Sequence, residues 1–312
     1  MSVYTVVSQA AIAQFIRGFD VGALVSYQGI DEGIENTNYF VDTKRGYYVL
    51  TLFEWLAAEK LPYFIKLMCR VADAGLPCPH PIADKRGQTL HRLMDKPTVL
   101  ITRLPGRTVK QPTVAQCAQV GDMLARMHLV MRDFEDHSEN VRDINWFKAQ
   151  SAQIQSKLSA DDCKLLNDEI QHQSECATDT LPVGTVHADL FKDNVLFDGE
   201  QLSGVIDFYY ACHAQLLYDV AVAVNDWCRT ADQHLSVPHY EALIKAYRLR
   251  RPFEVAENCE WQNILRRAAL RFWLSRLRDQ LFPKDGVITH IKDPDVFKNI
   301  LLLCREEALA LC

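Results

Sequence analysis

The chain has 312 residues, enough for two lobes that each bury a core. Hydrophobic residues make up 48% and charged residues 24%, the balance of a soluble globular protein rather than a disordered or fibrous one. A net charge of −6 argues against nonspecific nucleic-acid binding, which needs a basic excess. Ten cysteines lie scattered without a CxxC pair or zinc spacing, as expected of free, mostly buried thiols in a reducing compartment. No run reaches the roughly 18 apolar residues of a membrane span, and Met1-Ser-Val-Tyr4 does not open a basic-then-apolar leader. The expectation is a cytoplasmic soluble protein that neither binds nucleic acid nor sits in a membrane, with its oligomeric state open.

Ser8 is placed to cap a helix through Phe15 and Ile16, which breaks at Gly18. From Val25 to Leu52 the pattern turns β-rich, with Lys44-Arg-Gly46 as a turn between two aromatic, branched runs. Gly29 and Gly33 bracket a short loop, and Asn36 and Asn38 follow. Glycine lets backbone approach a ligand, so N–H groups there could cover phosphates; an ordinary hairpin turn is the plainer alternative. Pro62 to Ala74 predicts a helix with Phe64, Ile65, Leu67, Met68 and Val71 inward. An extended stretch follows from Leu76 to Pro81, then a buried strand, Thr98–Thr102, ended by Arg103-Leu-Pro-Gly106.

Thr113 is expected to cap a helix over Val114–Met131, with His128 as a hydrogen-bonded core residue. Phe134 to Phe147 reads as polar and irregular, with Trp146 as a docking aromatic. Ser159-Ala-Asp-Asp opens a helix towards Gln173. Asp219 is positioned to cap the helix that follows it, and helices continue through Tyr240–Arg248, Glu260–Leu281 and Pro294–Leu311.

The chemistry concentrates between Thr185 and Tyr210, read as strand, polar loop, strand, turn and strand. Asn194 and Asp207 offer the hard oxygen ligands that a divalent cation wants, and Asp189 just ahead of them could orient a hydroxyl and accept its proton. Together they match the phosphoryl-transfer template, in which positioning and charge neutralisation do most of the work. Lys192 stands where a cation could neutralise charge developing on the transferred group; a solvated surface lysine is the alternative. Asp193 and Asp198 read as turn residues.

His187-Ala-Asp189, Asn194 and Ile206-Asp207-Phe208 are similar to the catalytic loop and metal-binding aspartate of protein kinases, in the form used by the aminoglycoside- and choline-kinase branch. Gly33-Ile-Glu-Asn-Thr-Asn-Tyr-Phe-Val41, Tyr48-Val-Leu-Thr-Leu-Phe-Glu54, His187–Asn194, Ile206–Cys212 and Ala221–Trp227 resemble, in that order, the homoserine kinases built on this fold. The resemblance runs from about Gly29 to about Asp295. It implies an α+β, protein-kinase-like bilobal fold with a small antiparallel-sheet N-lobe, 1–104, and a larger, mainly helical C-lobe, 105–312. It implies ATP and Mg²⁺ as cofactors, adenine held by backbone near Thr102 and Leu104, and Mg²⁺ on Asn194 and Asp207. Asp189 would be the catalytic base, His187 a buttress of its loop, and Asp219 a brace for that loop. One departure stands out: Thr51 occupies the strand position where protein kinases carry a phosphate-binding lysine. Either a cation would then come from elsewhere, Lys60 or Lys66, or the metal would do more of the work, and Glu54 would be solvated or structural rather than a lysine's partner.

The resemblance also implies L-homoserine as substrate, a zwitterion whose carboxylate suits an arginine fork and whose ammonium suits a carboxylate. Arg267, Arg271 and Arg278 share one helix face, Asp226 is a candidate for the ammonium, and Tyr209 and Tyr210 could wall the pocket. A solvated basic face and plain core packing are the bland alternatives. The functional alternatives are a kinase for another small alcohol (amino alcohol, sugar or aminoglycoside) and a nucleotide-binding scaffold that transfers nothing.

Overall fold

The computed structural model describes residues 4–30, 36–283, 292–307 and 309–311. The chain divides into two compact units between Pro105 and Gly106. In the first, the Ser8 hydroxyl accepts from the Ala11 N–H and starts helix α1 (Gln9–Ile16), as its sequence predicts. Strands β1 (Leu24–Gly29), β2 (Asn36–Thr43), β3 (Gly46–Phe53), β4 (His91–Leu93) and β5 (Lys96–Thr102) form an antiparallel sheet in the order β1-β2-β3-β5-β4. Alternate residues of β2 are buried, so Tyr39 and Val41 share a core with Leu50, Leu52 and Leu100 of the neighbouring strands and Ile12 and Ile16 of α1. Helix α2 (Leu61–Asp73) buries the five apolar side chains expected of it.

Glu54 departs from expectation. Its side chain is 5% exposed, accepts hydrogen bonds from Thr5 and Thr37, and lies 3.0 Å from Lys96 Nζ. Burial works to raise its pKa, but the two hydroxyls and Lys96 win and hold it low. Glu54 is therefore a lysine's partner after all; the lysine belongs to β5, which no local reading of β3 reveals.

In the second unit, helix α3 (Val114–Val130) starts in a reciprocal cap: Thr113 Oγ1 accepts from the Gln116 N–H, and Gln116 Oε1 accepts from the Thr113 N–H. Helix α4 (Ile144–Ile154) begins under Asp143, which accepts from the Trp146 N–H, so the end of the supposedly irregular Phe134–Phe147 stretch is helical. Helix α5 (Ala160–Glu175) follows Ser159 as expected. Strand β6 (Val183–Val186) pairs with β9 (Cys212–Gln215), and β7 (Val195–Asp198) pairs with β8 (Gln201–Val205). Helices α6 (Leu216–Trp227), α7 (Val237–Arg250), α8 (Val255–Leu281) and α9 (Asp295–Glu306) complete the unit.

Two of these helices touch through glycine: a Cβ at Gly121 of α3 would collide with the Leu243 carbonyl of α7. Helix α8 runs through the core, with Trp261, Leu265, Leu270, Trp273 and Leu274 fully buried. Among the described residues, no helix is long and apolar enough to cross a membrane. The nine described cysteines are free thiols; Cys78, Cys117, Cys212, Cys228 and Cys304 are buried and Cys259 is exposed.

Candidate active site

Strand β6 delivers the chain to His187, and the loop beyond it is held from below by α6. Asp219 is not the helix cap that its position suggests, because Gln215 occupies that place and Asp219 sits one turn in. Its buried carboxylate instead accepts from two successive backbone N–H groups, His187 at 2.7 Å and Ala188 at 2.8 Å. His128 Nε2 adds a third bond at 3.1 Å, and its Nδ1 meets the Tyr247 hydroxyl at 2.7 Å. Burial alone would raise the Asp219 pKa, but the hydrogen bond from His128 and the His187 contacts hold it below the ordinary carboxylate range. Further along α6, the Trp227 indole donates to the Leu190 carbonyl and Asp226 accepts from the Lys192 N–H. One helix thus clamps the loop at both ends.

The grip has a conformational consequence. Ala188 is held at φ 63, a left-handed conformation that costs a non-glycine residue about 1 kcal/mol or more. Asp207 shows the same feature at φ 64, immediately before the turn Phe208–Tyr210. Left-handed backbone therefore falls beside Asp189 and at Asp207, two of the three candidate side chains.

Register brings the third one in. The β7–β8 hairpin pairs Val195 with Val205, and the Ile206 N–H donates to the Asn194 carbonyl at 2.9 Å, which sets Asn194 beside the chain entering Asp207. Asn194 Nδ2 donates to the Asp189 carbonyl at 2.8 Å and to Asp189 Oδ2 at 3.1 Å. That orientation turns the amide oxygen of Asn194 away from Asp189. An amide oxygen and the Asp207 carboxylate make a hard-oxygen pair suited to Mg²⁺, which completes its shell with phosphate oxygens and water. The residues present fit that cation.

His187 is 1% exposed, donates from Nε2 to the Ile206 carbonyl at 3.0 Å, and packs its ring on Phe208. Burial pushes its pKa down against the pull of Asp219 and Asp189, so the neutral ring ties the loop to Ile206, between β8 and Asp207. That bond buttresses the loop. Lys192 and Asp226, singled out separately in the sequence, face each other at 3.7 Å. Arg267 donates to Gln173 and Thr178 and is fixed on the end of α5. Arg271 goes elsewhere: its Nη1 lies 3.8 Å from Asp189 Oδ1. Tyr209 and Tyr210 form the turn after Asp207.

In the first unit, Gly29 ends β1 and Asn36 begins β2. Thr51 Oγ1 donates to Asn38 Oδ1 at 2.7 Å, so these two candidates form one hydrogen-bonded pair, with Thr51 buried. Thr102 accepts from the His80 N–H at the end of β5, and Leu104 follows two residues later. Gly33 lies outside the described residues. The residue that sequence reasoning missed is Arg142, whose guanidinium sits over the Trp146 and Tyr210 rings. Nothing in its local sequence distinguishes it from a surface arginine.

Residues 26–253 match the phosphotransferase enzyme family. The chain belongs to that family. A homoserine kinase of Methylobacillus flagellatus is 46% identical over 99% of this chain and 98% of its own length. A homoserine kinase of Neisseria meningitidis serogroup B is 45% identical over 97% of this chain and 99% of its own. Among solved structures, an amicoumacin kinase in complex with AMP-PNP and Ca²⁺ superposes with a TM-score of 0.70 at 13% identity, covering 96% of this chain and 94% of that one. A spectinomycin phosphotransferase with ADP gives 0.70 at 12%, covering 96% and 98%. This phosphotransferase has the α+β, protein-kinase-like fold that its motifs implied, with the antiparallel sheet in the first unit and a mainly helical second unit.

Proposed function

We propose that the chain transfers the γ-phosphoryl group of ATP to the side-chain hydroxyl of L-homoserine in the cytoplasm, giving O-phospho-L-homoserine for threonine synthesis. Full-length similarity to homoserine kinases supports the substrate. The observation that carries the chemistry is the convergence of Asp189, Asn194 and Asp207 through one loop and one hairpin register. Asp189 aligns the hydroxyl by accepting its proton in a hydrogen bond. As the bond from that oxygen to phosphorus forms and the bridging bond to ADP breaks, the proton passes to the carboxylate. Asn194 and Asp207 would hold Mg²⁺, which when bound neutralises phosphate charge. Asn194 also holds Asp189 in place through its amide hydrogens. Nucleotide contacts are assigned to Gly29, Gly33, Asn36, Thr102 and Leu104, with Asn38 and Thr51 acting as one hydrogen-bonded pair.

The test is ADP release by Asp189→Asn with Mg-ATP and L-homoserine, alongside ATP binding. Retained ATP binding with turnover lost supports the assignment; turnover near that of the unmodified protein sinks it.

A further inference from the structure

Buried guanidinium groups are costly unless carboxylates and hydrogen bonds satisfy them. Two in this site are not fully satisfied from within the described chain. The Arg271 side chain is 6% exposed and its Nε is buried without a hydrogen-bond partner. Asp189 at 3.8 Å is its ion-pair partner among the described residues, and that carboxylate is also the proposed base. Arg142, half-buried just ahead of α4, has an equally orphaned Nε.

The two groups share a platform. Arg142 lies 4.5 Å from the centroid of the Trp146 ring and 6.0 Å from that of Tyr210, and Arg271 lies 5.2 Å from the same Tyr210 ring. Burial lowers the Arg142 pKa, and the positive charges of Arg271 and Arg278 lower it further, with Tyr210 pulling the other way. Like charges packed on one face, each with an Nε–H that meets no acceptor, leave room in the energetics for an anion. A planar carboxylate suits such a fork.

We propose that Arg142 and Arg271, arranged about Tyr210, form the receptor for the carboxylate of the acceptor substrate. The inference rests on the proposed function and adds what reads the substrate. In an extended homoserine the carboxylate lies about 5 Å from the hydroxyl oxygen, by ordinary bond lengths. A hydroxyl aligned on Asp189 therefore carries its carboxylate to the guanidinium beside Asp189. Amino alcohols without a carboxylate leave the two charges uncompensated, and polycationic acceptors add to the repulsion. The pair thus selects alcohols that bear an acid.

The experiment compares L-homoserine with its neutral analogue L-homoserine amide in the unmodified protein, Arg142→Met and Arg142→Lys. Methionine keeps an apolar stem to pack on Trp146; lysine keeps the charge and loses the fork. The unmodified protein should prefer homoserine in kcat/KM by about 100-fold, the scale of a charge-assisted fork. Arg142→Met should raise the KM for homoserine about 30-fold, leave kcat and the KM for ATP within a few-fold, and leave the amide unchanged. Arg142→Lys should fall between the two. Equal losses for homoserine and the amide, or a raised KM for ATP, would overturn the carboxylate assignment and spare the proposed function. An unmodified protein that ignores homoserine and phosphorylates a carboxylate-free alcohol would overturn both.

Discussion

One turn of α8 separates two kinds of buried arginine. Arg266 grips the fully buried Glu169 through Nε and Nη2, at 3.0 and 2.6 Å, and Arg267 is pinned on Gln173 and Thr178. Their hydrogen bonds close within the fold and tie α5 to α8. Arg271 is deeper, yet among the described residues its Nε meets no acceptor and its ion-pair partner is the proposed base. The residue type and the helix are shared, and the deepest of the three is the least satisfied. A closed network marks structure, and the open one beside a strained loop is the place proposed for the substrate carboxylate.

The sharpest way to break this contrast is at the base itself. Asp189→Asn should lower kcat by about 10³-fold, the range for a lost general base, with ATP binding retained. Arg266→Met should do the reverse: it leaves the buried Glu169 with only Gln173 and the more distant Arg305, and costs about 3 kcal/mol in denaturant unfolding, with the KM for homoserine unchanged. Arg271→Met should resemble the catalytic class, raising the KM for homoserine by about 30-fold, as expected for a lost charge-assisted bond. If Arg266→Met and Arg271→Met behave alike, satisfaction does not sort the two.

Smaller effects sharpen the loop's side of the comparison. Burial holds His187 neutral with its pKa below 6.5, so the unfolded chain binds the proton more readily. Stability is then full above pH 6.5 and declines as the pH falls through the folded-state value; His187→Gln should flatten that slope in urea midpoints measured between pH 7 and 5. Ala188→Gly should change stability least. It relieves the left-handed strain at φ 63 but loosens the unfolded chain, for a net gain of a few tenths of a kcal/mol at roughly unchanged kcat.

Much of the site was legible because it is local. Asp189, Asn194 and Asp207 fall within one loop and one hairpin, and short-range spacing carries that geometry. Ser8, Thr113 and Ser159 announced their helices for the same reason, since a cap and its N–H partner are three residues apart. The misreadings involve partners that only folding brings together. Glu54 waits for Lys96 from another strand, and Asp219, rightly read as the brace of its loop through the His187–Ala188 backbone, is wrongly read as a helix cap. Asp143 was overlooked as a cap because Ile144-Asn-Trp146 carries none of the acidic first-turn residues that mark Ser159. Arg142 gains its meaning from Trp146, Tyr210 and Arg271, and its two nearest sequence neighbours say nothing of them.

Phosphorus NMR of the reaction between the purified unmodified protein, Mg-ATP and L-homoserine tests the central assignment most directly, with L-serine, L-threonine, choline and kanamycin run in parallel. The predicted result is one phosphomonoester signal that grows with ADP in the homoserine sample and is weak or missing in the others. ADP formation without a homoserine phosphomonoester, or a stronger phosphomonoester from choline or kanamycin, would contradict it.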